Sequence, residues 1–174
     1  CEVADKPGSF STAATEKGDR FEVALYPKSL TPGLLLMAPE TKKDKALELT
    51  EEEKTALIAA IKANGGKTEG GPLRIAQRAA ADIDGDGKDE VFFSTIVDDE
   101  KDSERFVFSG LFMANGGALD AMVLVDRSKG ADIIVLRSAV DLDGDKIREL
   151  HIGLTFQEGG SGDRIAIKND KGFS

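Results

Sequence analysis

One short acidic sequence occurs twice in this chain, at positions 59 residues apart. Residues 80–86, which read AADIDGD, align with residues 139–145, which read AVDLDGD, and the alignment continues to a glutamate in each copy. An apolar segment leads into each copy and another leads out of it. A match of this length predicts a repeated structural unit, in which the acidic segment turns the chain between two strands.

The sequence from residue 71 onward is of β type. Apolar and polar residues alternate over short segments, and glycine or polar turns separate these segments. Short connections favour antiparallel neighbours, for which a meander is the simplest order. The predicted fold is therefore mainly β (α+β), an antiparallel β meander of internally repeated units with one amphipathic helix. The predicted strands are residues 73–80, 90–97, 105–113, 118–125, 132–139, 150–156 and 164–168.

The one helix is predicted at about 51–63. Thr50 and Glu53 have the spacing of a capping box, which satisfies free NH groups at a helix N-terminus. Leu57, Ile58 and Ile61 then follow at helical spacing. Asn64 and the two glycines after it provide the end of the helix.

The N-terminal part of the chain divides near Arg20. Residues 1–19 are rich in small, polar and charged residues, so we expect a flexible tether. Alternation over residues 21–25 predicts a strand, and the apolar run 34–37 predicts another. We expect residues 20–174 to form a single β-rich domain that contains both acidic loops, at 82–90 and 141–149.

The acidic loops offer the ligands that calcium prefers. Calcium takes about six to eight oxygen ligands, and alternate side chains of a turning loop point inward. Positions one, three and five then supply carboxylates, position seven a main-chain carbonyl and position nine a glutamate. The predicted ligands are Asp82, Asp84, Asp86, Lys88 (carbonyl) and Glu90 in the first loop, and Asp141, Asp143, Asp145, Ile147 (carbonyl) and Glu149 in the second.

An acidic turn without an ion is the alternative to a calcium site. Four carboxylates that converge within a few ångströms repel one another unless a cation or protons neutralise them, which favours a cation. Magnesium suits the loops less well, because it keeps several waters and requires stricter octahedral geometry. We therefore expect Ca²⁺ in the first loop and a second Ca²⁺ site of lower affinity.

Single positions distinguish the two loops. Lys146 stands where the first loop has Gly87, so a side chain must tolerate the tight turn and adds a positive charge. The second loop should therefore bind weakly or remain empty. We expect Ile83 to anchor the first loop in the core, and Asp89 and Arg148 to face solvent.

Residues 82–93, which read DIDGDGKDEVFF, resemble the calcium loop of FG-GAP and VCBS-type repeats. Such repeats occur in integrin α-subunit propellers and in many bacterial surface proteins, and their calcium loops lie between strands. Their repeat length is similar to the 59-residue offset. The resemblance covers about residues 72–168 and is specific at the loops. It implies the ion site but no global architecture, because the Phe-Gly and Gly-Ala-Pro signature is absent and two repeats do not close a propeller.

Cys1 is the only cysteine, which excludes an internal disulfide and a metal–thiolate cluster. Bacterial lipoproteins are cut directly before a cysteine that then carries the lipid. We therefore expect lipidation of Cys1 and a periplasmic or cell-surface lipoprotein. Its only contact with a membrane, such as the outer membrane, would be through this anchor. The alternative is that the position of Cys1 reflects only where the chain was cut.

Several classes of function are excluded or disfavoured. The net charge of −9 and a pI near 4.7 leave no basic stripe for nucleic acid. No segment approaches the roughly 18 apolar residues that span a bilayer. His151 is the only histidine, so a Ser–His–Asp triad would depend on it alone. We expect no catalytic residues and no enzyme activity.

The predicted function is that of a calcium-binding, lipid-tethered extracytoplasmic module that acts through protein–protein contacts. A more specific version is a periplasmic inhibitor or immunity lipoprotein against a peptidoglycan hydrolase, since some inhibitors of that kind resemble this combination of features. An acidic protein also suits a basic cell-wall hydrolase electrostatically. The competing class is a calcium-dependent glycan-binding protein or hydrolase.

Overall fold

A computed structural model describes residues 48–102, 105–128, 132–156, 159–169 and 172–174, together with the backbone of residues 35–36. The fold is mainly β, with antiparallel sheets and one helix, as predicted. The elements in chain order are β1 (Leu35–Leu36), α1 (Glu51–Ala63), β2 (Leu73–Ala81), β3 (Glu90–Asp98), β4 (Phe106–Ala114), β5 (Met122–Arg127), β6 (Asp132–Val140), β7 (Glu149–Phe156), β8 (Ser161–Ala166), β9 (Lys168–Asn169) and β10 (Gly172–Phe173).

The longer strands form two four-stranded sheets. The first sheet has the order β2-β3-β4-β5 and the second has the order β1-β6-β7-β8, while β9 and β10 form a separate two-stranded ribbon. Consecutive strands pair within β2–β5 and within β6–β8, so meander connections are present in both sheets. β1 departs from that order, because it joins the free edge of β6. The repetition of whole units stays a prediction.

Two predicted strands differ from the observed ones. The strand predicted at 118–125 begins later, at Met122, because Leu119–Ala121 forms a turn of 3-10 helix. The strand predicted at 164–168 begins earlier, at Ser161, which pairs with Thr155 of β7. It is then interrupted at Ile167, whose NH and carbonyl bond to Ser174 instead of to β7.

The helix α1 has the predicted bounds, 51–63. Its capping box is formed, because the Glu53 NH donates to Thr50 Oγ1 at 3.2 Å and the Thr50 NH donates to Glu53 Oε2 at 2.9 Å. Leu57 and Ile61 are fully buried against the outer face of the first sheet. Arg78 of β2 also forms an ion pair of 2.6 Å with Glu53, which connects the helix to the sheet.

The core has two parts, one on each face of the first sheet. The inter-sheet core lies between the two sheets, and the helix–sheet core lies under α1. The inter-sheet core contains Ala81, Ile83, Phe92, Leu111, Met113, Val125, Ile134, Leu136, Ala139, Leu150, Ile152, Leu154 and Ala166. The helix–sheet core contains Leu57, Ile61, Ile75, Phe93, Val97, Phe108, Phe112 and Ala114. β3 and β4 contribute to both parts, which explains why they are buried along most of their length.

Polar side chains of the first sheet bond to the backbone of β6. The Gln77 amide donates to the Leu136 carbonyl at 2.8 Å and accepts from the Leu136 NH at 2.7 Å. The Ser94 hydroxyl donates to the Ile134 carbonyl. These buried contacts satisfy main-chain groups of β6 beyond the short strand β1, and they hold the two sheets together.

Some predictions fall outside the described residues. They are the tether at 1–19, the lipidation site Cys1 and the strand at 21–25. Of the strand predicted at 34–37, the backbone of Leu35–Leu36 is described, and it pairs with Ser138 and Ala139. In the described part of the chain no helix has the length and apolar character needed to cross a membrane.

Candidate metal centre

Each acidic loop closes an antiparallel hairpin of the same register. The first hairpin begins with Ala81 opposite Glu90, and the second begins with Val140 opposite Glu149. The first loop thus joins neighbouring strands of one sheet, and the second loop joins neighbouring strands of the other. Both loops lie between strands, as the sequence predicted.

The first loop brings three carboxylates together. Asp82, Asp84 and Asp86 each place an oxygen within 4.8 Å of the others. Asp84 Oδ1 is buried and has no hydrogen-bond partner among the residues that the structure describes. A buried carboxylate oxygen without a partner is costly, and it indicates that this position suits a cation.

Backbone NH groups shape the first loop around two of these aspartates. Asp82 accepts from the NH of Gly85 at 2.7 Å and from that of Gly87 at 3.1 Å. Asp86 accepts from the NH of Lys88 at 2.8 Å. These bonds are the side-chain-to-backbone contacts expected of aspartate in turns, and they leave room for further contacts by the same oxygens.

The second loop also forms a carboxylate cluster, with a different composition. Asp141, Asp143 and Glu149 each place an oxygen within 4.8 Å of the others. Asp141 accepts from the NH of Gly144 at 2.6 Å and from that of Lys146 at 3.1 Å, which repeats the pattern of Asp82. The local chain path is therefore the same in the two loops.

The glutamate at position nine ties the end of each loop to its beginning. Glu90 is 1 % exposed and accepts from the Ile83 NH at 2.9 Å. Glu149 is 5 % exposed and accepts from the Leu142 NH at 2.6 Å. These buried carboxylates fix the shape of the loops, and Glu149 also belongs to its cluster.

The structure brings together six of the ten predicted ligands in two groups of three. The other two carboxylates lie outside the groups: Glu90 bonds to Ile83, and Asp145 accepts from the Ile147 NH at 2.7 Å. The carbonyl ligands Lys88 and Ile147 stay predictions, as does the complete ligand set of each loop.

The two loops contact each other through Arg148. We expected this residue to face solvent, and that prediction is wrong. The Arg148 NH donates to the Ile83 carbonyl at 2.8 Å, and its guanidinium donates to the Asp82 carbonyl. The second loop packs against the first, so Arg148, the eighth residue of the second loop, is directed at the first loop. Asp89, the corresponding residue of the first loop, is exposed as expected.

Sequence reasoning also missed Lys168. Its Nζ lies 3.4 Å from Asp84 Oδ2, and both side chains are about one quarter exposed, at 27% and 26%. Lys168 belongs to β9, 84 residues along the chain from Asp84, and no local pattern relates the two. One lysine balances one of the three negative charges of the first cluster.

Lys146 adopts the conformation that its position in the loop requires. Its φ is +76°, and it is the one non-glycine residue with positive φ in the described part of the chain. Gly87 has a φ of +84° at the equivalent position. A left-handed conformation costs a side chain about 1–2 kcal/mol relative to glycine, so the second loop carries strain that the first loop lacks.

The residues of both clusters fit a hard metal ion. All ligand atoms are carboxylate oxygens, which hard divalent cations prefer to sulfur or nitrogen. The first cluster adds a buried oxygen that no group in the described ranges satisfies. Each cluster could therefore hold a metal ion, and the described residues contain no other group of this kind.

His151 lies between a serine and an aspartate on neighbouring strands. Its Nδ1 is 3.3 Å from Ser138 Oγ and its Nε2 is 3.0 Å from Asp163 Oδ1. Asp163 also forms an ion pair with Arg137 at 3.2 Å. A nucleophilic hydroxyl must be accessible to its substrate, whereas Ser138 is 2 % exposed. We therefore interpret the row as a cross-strand polar contact within the second sheet.

Comparison of the chain with models of protein families, with curated proteins and with solved structures found no match. The resemblance to FG-GAP and VCBS-type loops therefore rests on the loop residues alone.

Proposed function

We propose that this chain is a calcium-binding module whose ions stabilise the scaffold for protein–protein contacts. The buried, unpartnered Asp84 Oδ1 carries the proposal, because it lies in a cluster of three carboxylates that Lys168 neutralises only in part. An ion with two positive charges would balance the remainder. The ten ligands predicted from the sequence, five in the loop 82–90 and five in the loop 141–149, are proposed as the binding groups.

Calcium is the proposed ion because of the ligand type and the loop type. Both loops offer several carboxylates from one short, irregular segment, and calcium accepts such flexible arrangements of oxygen ligands. Magnesium demands near-ideal octahedral geometry and dehydrates reluctantly. Thus we expect calcium to bind more tightly than magnesium in both loops.

The proposed role of the ion is structural. Each loop joins two strands at the end of a hairpin, and the two loops bond to each other through Arg148. An ion held by both ends of a loop would bring neighbouring strand ends together in both sheets. At a free calcium concentration one hundred times the dissociation constant, one site adds about 2.7 kcal/mol to the free energy of unfolding.

The FG-GAP and VCBS-type repeat is proposed as the origin of this arrangement. The equal hairpin register of the two loops supports it, as do the matching bounds of β2 (Leu73–Ala81) and β6 (Asp132–Val140). On this proposal the repeated unit is a strand, an acidic loop and a second strand.

The location and the partner are proposed from the sequence. A lipid on Cys1 would hold the module at an extracytoplasmic membrane surface, in the periplasm or at the cell surface. The acidic surface suits a basic protein partner, and an inhibitor or immunity lipoprotein against a peptidoglycan hydrolase is the specific form of this proposal. The competing proposal, a glycan-binding protein or hydrolase that needs calcium, gains no support from the buried Ser138.

A thermal melt tests the calcium proposal. The protein is unfolded in about 1 mM calcium, in the same concentration of magnesium and in chelator. We expect calcium to raise the melting temperature by about 5–10 °C above the value in chelator, as one saturated site predicts for a chain of this size. Magnesium should give a smaller rise. Identical melting curves in calcium and chelator would rule the proposal out.

A second experiment tests the anchor. Intact-mass analysis of the protein isolated from membranes of its natural host should find a diacylglyceryl group on Cys1. An unmodified Cys1 in membrane-free fractions would exclude the lipid tether and leave the calcium proposal unaffected.

A further inference from the structure

A groove on the helix side of the molecule is separate from the two acidic loops. It runs between α1 and the turn Leu119–Ala121 that precedes β5, and it encloses about 730 Å³. Its lining is mainly apolar and includes Leu119 and Met122. Both of these residues are only partly buried, so the groove is open to solvent.

Alanines on α1 give the groove its depth. Leu57 and Ile61 face the first sheet, whereas the adjacent stripe of the helix consists of Ala56, Ala59, Ala60 and Ala63, all of which line the groove. The accessible face of a helix usually carries long polar side chains. Here the short side chains leave space beside the helix, which a large apolar side chain of a partner would fill.

The rim of the groove is negatively charged on both sides. Glu51 and Glu52 lie on the helix side and Asp120 lies on the side of the turn, and all three are exposed. Among the described residues, no lysine or arginine lines the groove, and none of the three carboxylates forms an ion pair. Like charges that line one groove concentrate a negative potential within it.

A favourable interaction with the dipole of α1 explains only two of the three carboxylates. Glu51 and Glu52 lie in its first turn, where negative charge interacts favourably with the helix dipole. Asp120 lies outside the helix, so this interaction does not account for it. Together with the two glutamates it gives the lining a negative charge, which is complementary to positive charge on whatever enters the groove.

We propose that this groove binds a segment of a partner protein in which large apolar side chains stand next to lysine or arginine. The apolar side chains would occupy the space above the alanine stripe, and the cationic groups would pair with Glu51, Glu52 and Asp120. The inference deepens the proposed function, since it rests on the part that assigns this chain to protein–protein contacts. It is independent of which ion occupies the acidic loops.

The test uses the full chain, isotopically labelled, in calcium. The probe is a decapeptide of alternating lysine and leucine, with a decapeptide of alternating glutamate and leucine as the control. We expect the lysine peptide to shift amide resonances of residues 51–63 and 119–122 in a saturable manner, and the glutamate peptide to leave them unchanged. Equal shifts by both peptides, or shifts confined to the acidic loops, would overturn the inference.

Matched variants test the charge and the space separately. Asp120→Lys should weaken binding of the lysine peptide at least fivefold, whereas Glu100→Lys, the same charge change on an exposed turn outside the groove, should leave affinity within twofold. Ala59→Arg should fill the groove and weaken binding to a similar extent. If Ala59→Arg lowers the melting temperature, Ala63→Arg replaces it, because a positive charge near a helix C-terminus is favourable. Equal losses for Asp120→Lys and Glu100→Lys would overturn the inference.

The same spectra test a competing occupant, which is a segment within residues 1–34 or 37–47 of this chain. If Ala59→Arg shifts the resonances of those residues in the absence of peptide, the groove belongs to the chain itself and the inference fails. Failure of the calcium proposal is distinguishable, because it appears as a missing calcium effect on the melting temperature while peptide binding at the groove persists.

Discussion

The two acidic loops have nearly the same sequence and the same hairpin register, yet the protein surrounds them differently. Ile83 in the first loop is fully buried in the inter-sheet core, whereas Leu142 at the same position of the second loop is 42 % exposed. Asp84 is partly buried beside Lys168, whereas Asp143 is exposed. The first loop is therefore anchored in the core through Ile83, whereas the corresponding side chain of the second loop lies on the surface.

The comparison separates local from tertiary causes. The aspartate at position one accepts the same two backbone bonds in both loops, with distances of 2.7 and 3.1 Å in the first and 2.6 and 3.1 Å in the second. The motif therefore specifies the chain path by itself. Burial and charge, which set the strength of a metal site, come from neighbours that the motif does not specify.

The largest expected difference concerns the apolar residue at position two. Ile83→Ala should lower the free energy of unfolding by about 2–5 kcal/mol, because it leaves a cavity in the inter-sheet core. Leu142→Ala should change it by less than about 0.5 kcal/mol. Urea denaturation measures the free energy of unfolding of both variants. Similar losses for the two would contradict the unequal burial of the loops.

The next difference concerns calcium itself. Asp84→Asn should remove most of the stabilisation by calcium, about 2.7 kcal/mol at one hundred times the dissociation constant, because it removes charge at the buried oxygen. Asp143→Asn should leave most of that stabilisation intact. Melting curves with calcium and with chelator measure both variants. A larger loss for Asp143→Asn would reverse the order proposed for the two sites.

Arg148 tests whether the contact between the loops matters. Arg148→Ala removes a charged donor to the Asp82 carbonyl, and we expect the free energy of unfolding to fall by about 1.5 kcal/mol. Asp89→Ala is the matched control, since Asp89 occupies the equivalent position in the first loop and is exposed. Its effect should remain within about 0.5 kcal/mol. No difference between the two variants in urea denaturation would argue that the loops are independent.

The smallest expected effect concerns the strained position. Lys146→Gly should raise the free energy of unfolding by about 1 kcal/mol, because glycine accepts a positive φ at lower cost. The exchange in the other loop, Gly87→Lys, should lower it by a similar amount. Loss of stability in Lys146→Gly would mean that the lysine side chain makes contacts that outweigh its strain.

Features of local origin could be predicted from the sequence. The bounds of α1 follow from the capping box at Thr50 and the glycines after Asn64, all of which act within a few residues. Most strand positions follow from alternation. The late start of β5 could not be read in this way, because apolar residues at 118–122 suit a strand and a 3-10 turn equally well.

The surroundings of the site could not be predicted from the sequence. The contact between Arg148 and Asp82 spans 66 residues and that between Lys168 and Asp84 spans 84. Both depend on how two sheets and a short ribbon pack, which periodicity within a strand does not encode. For the same reason the sequence predicted that Ile83 points into the core, but it did not predict that Leu142 is exposed.

A calcium titration monitored by native mass spectrometry tests the central claim most directly, because it counts bound ions. The wild-type chain should bind one calcium ion at low concentration and a second one only at a higher concentration, on the order of 1 mM. Asp84→Ala should abolish the first binding step, and Asp143→Ala should abolish only the second. A wild-type chain that binds no calcium at any of these concentrations would contradict the account.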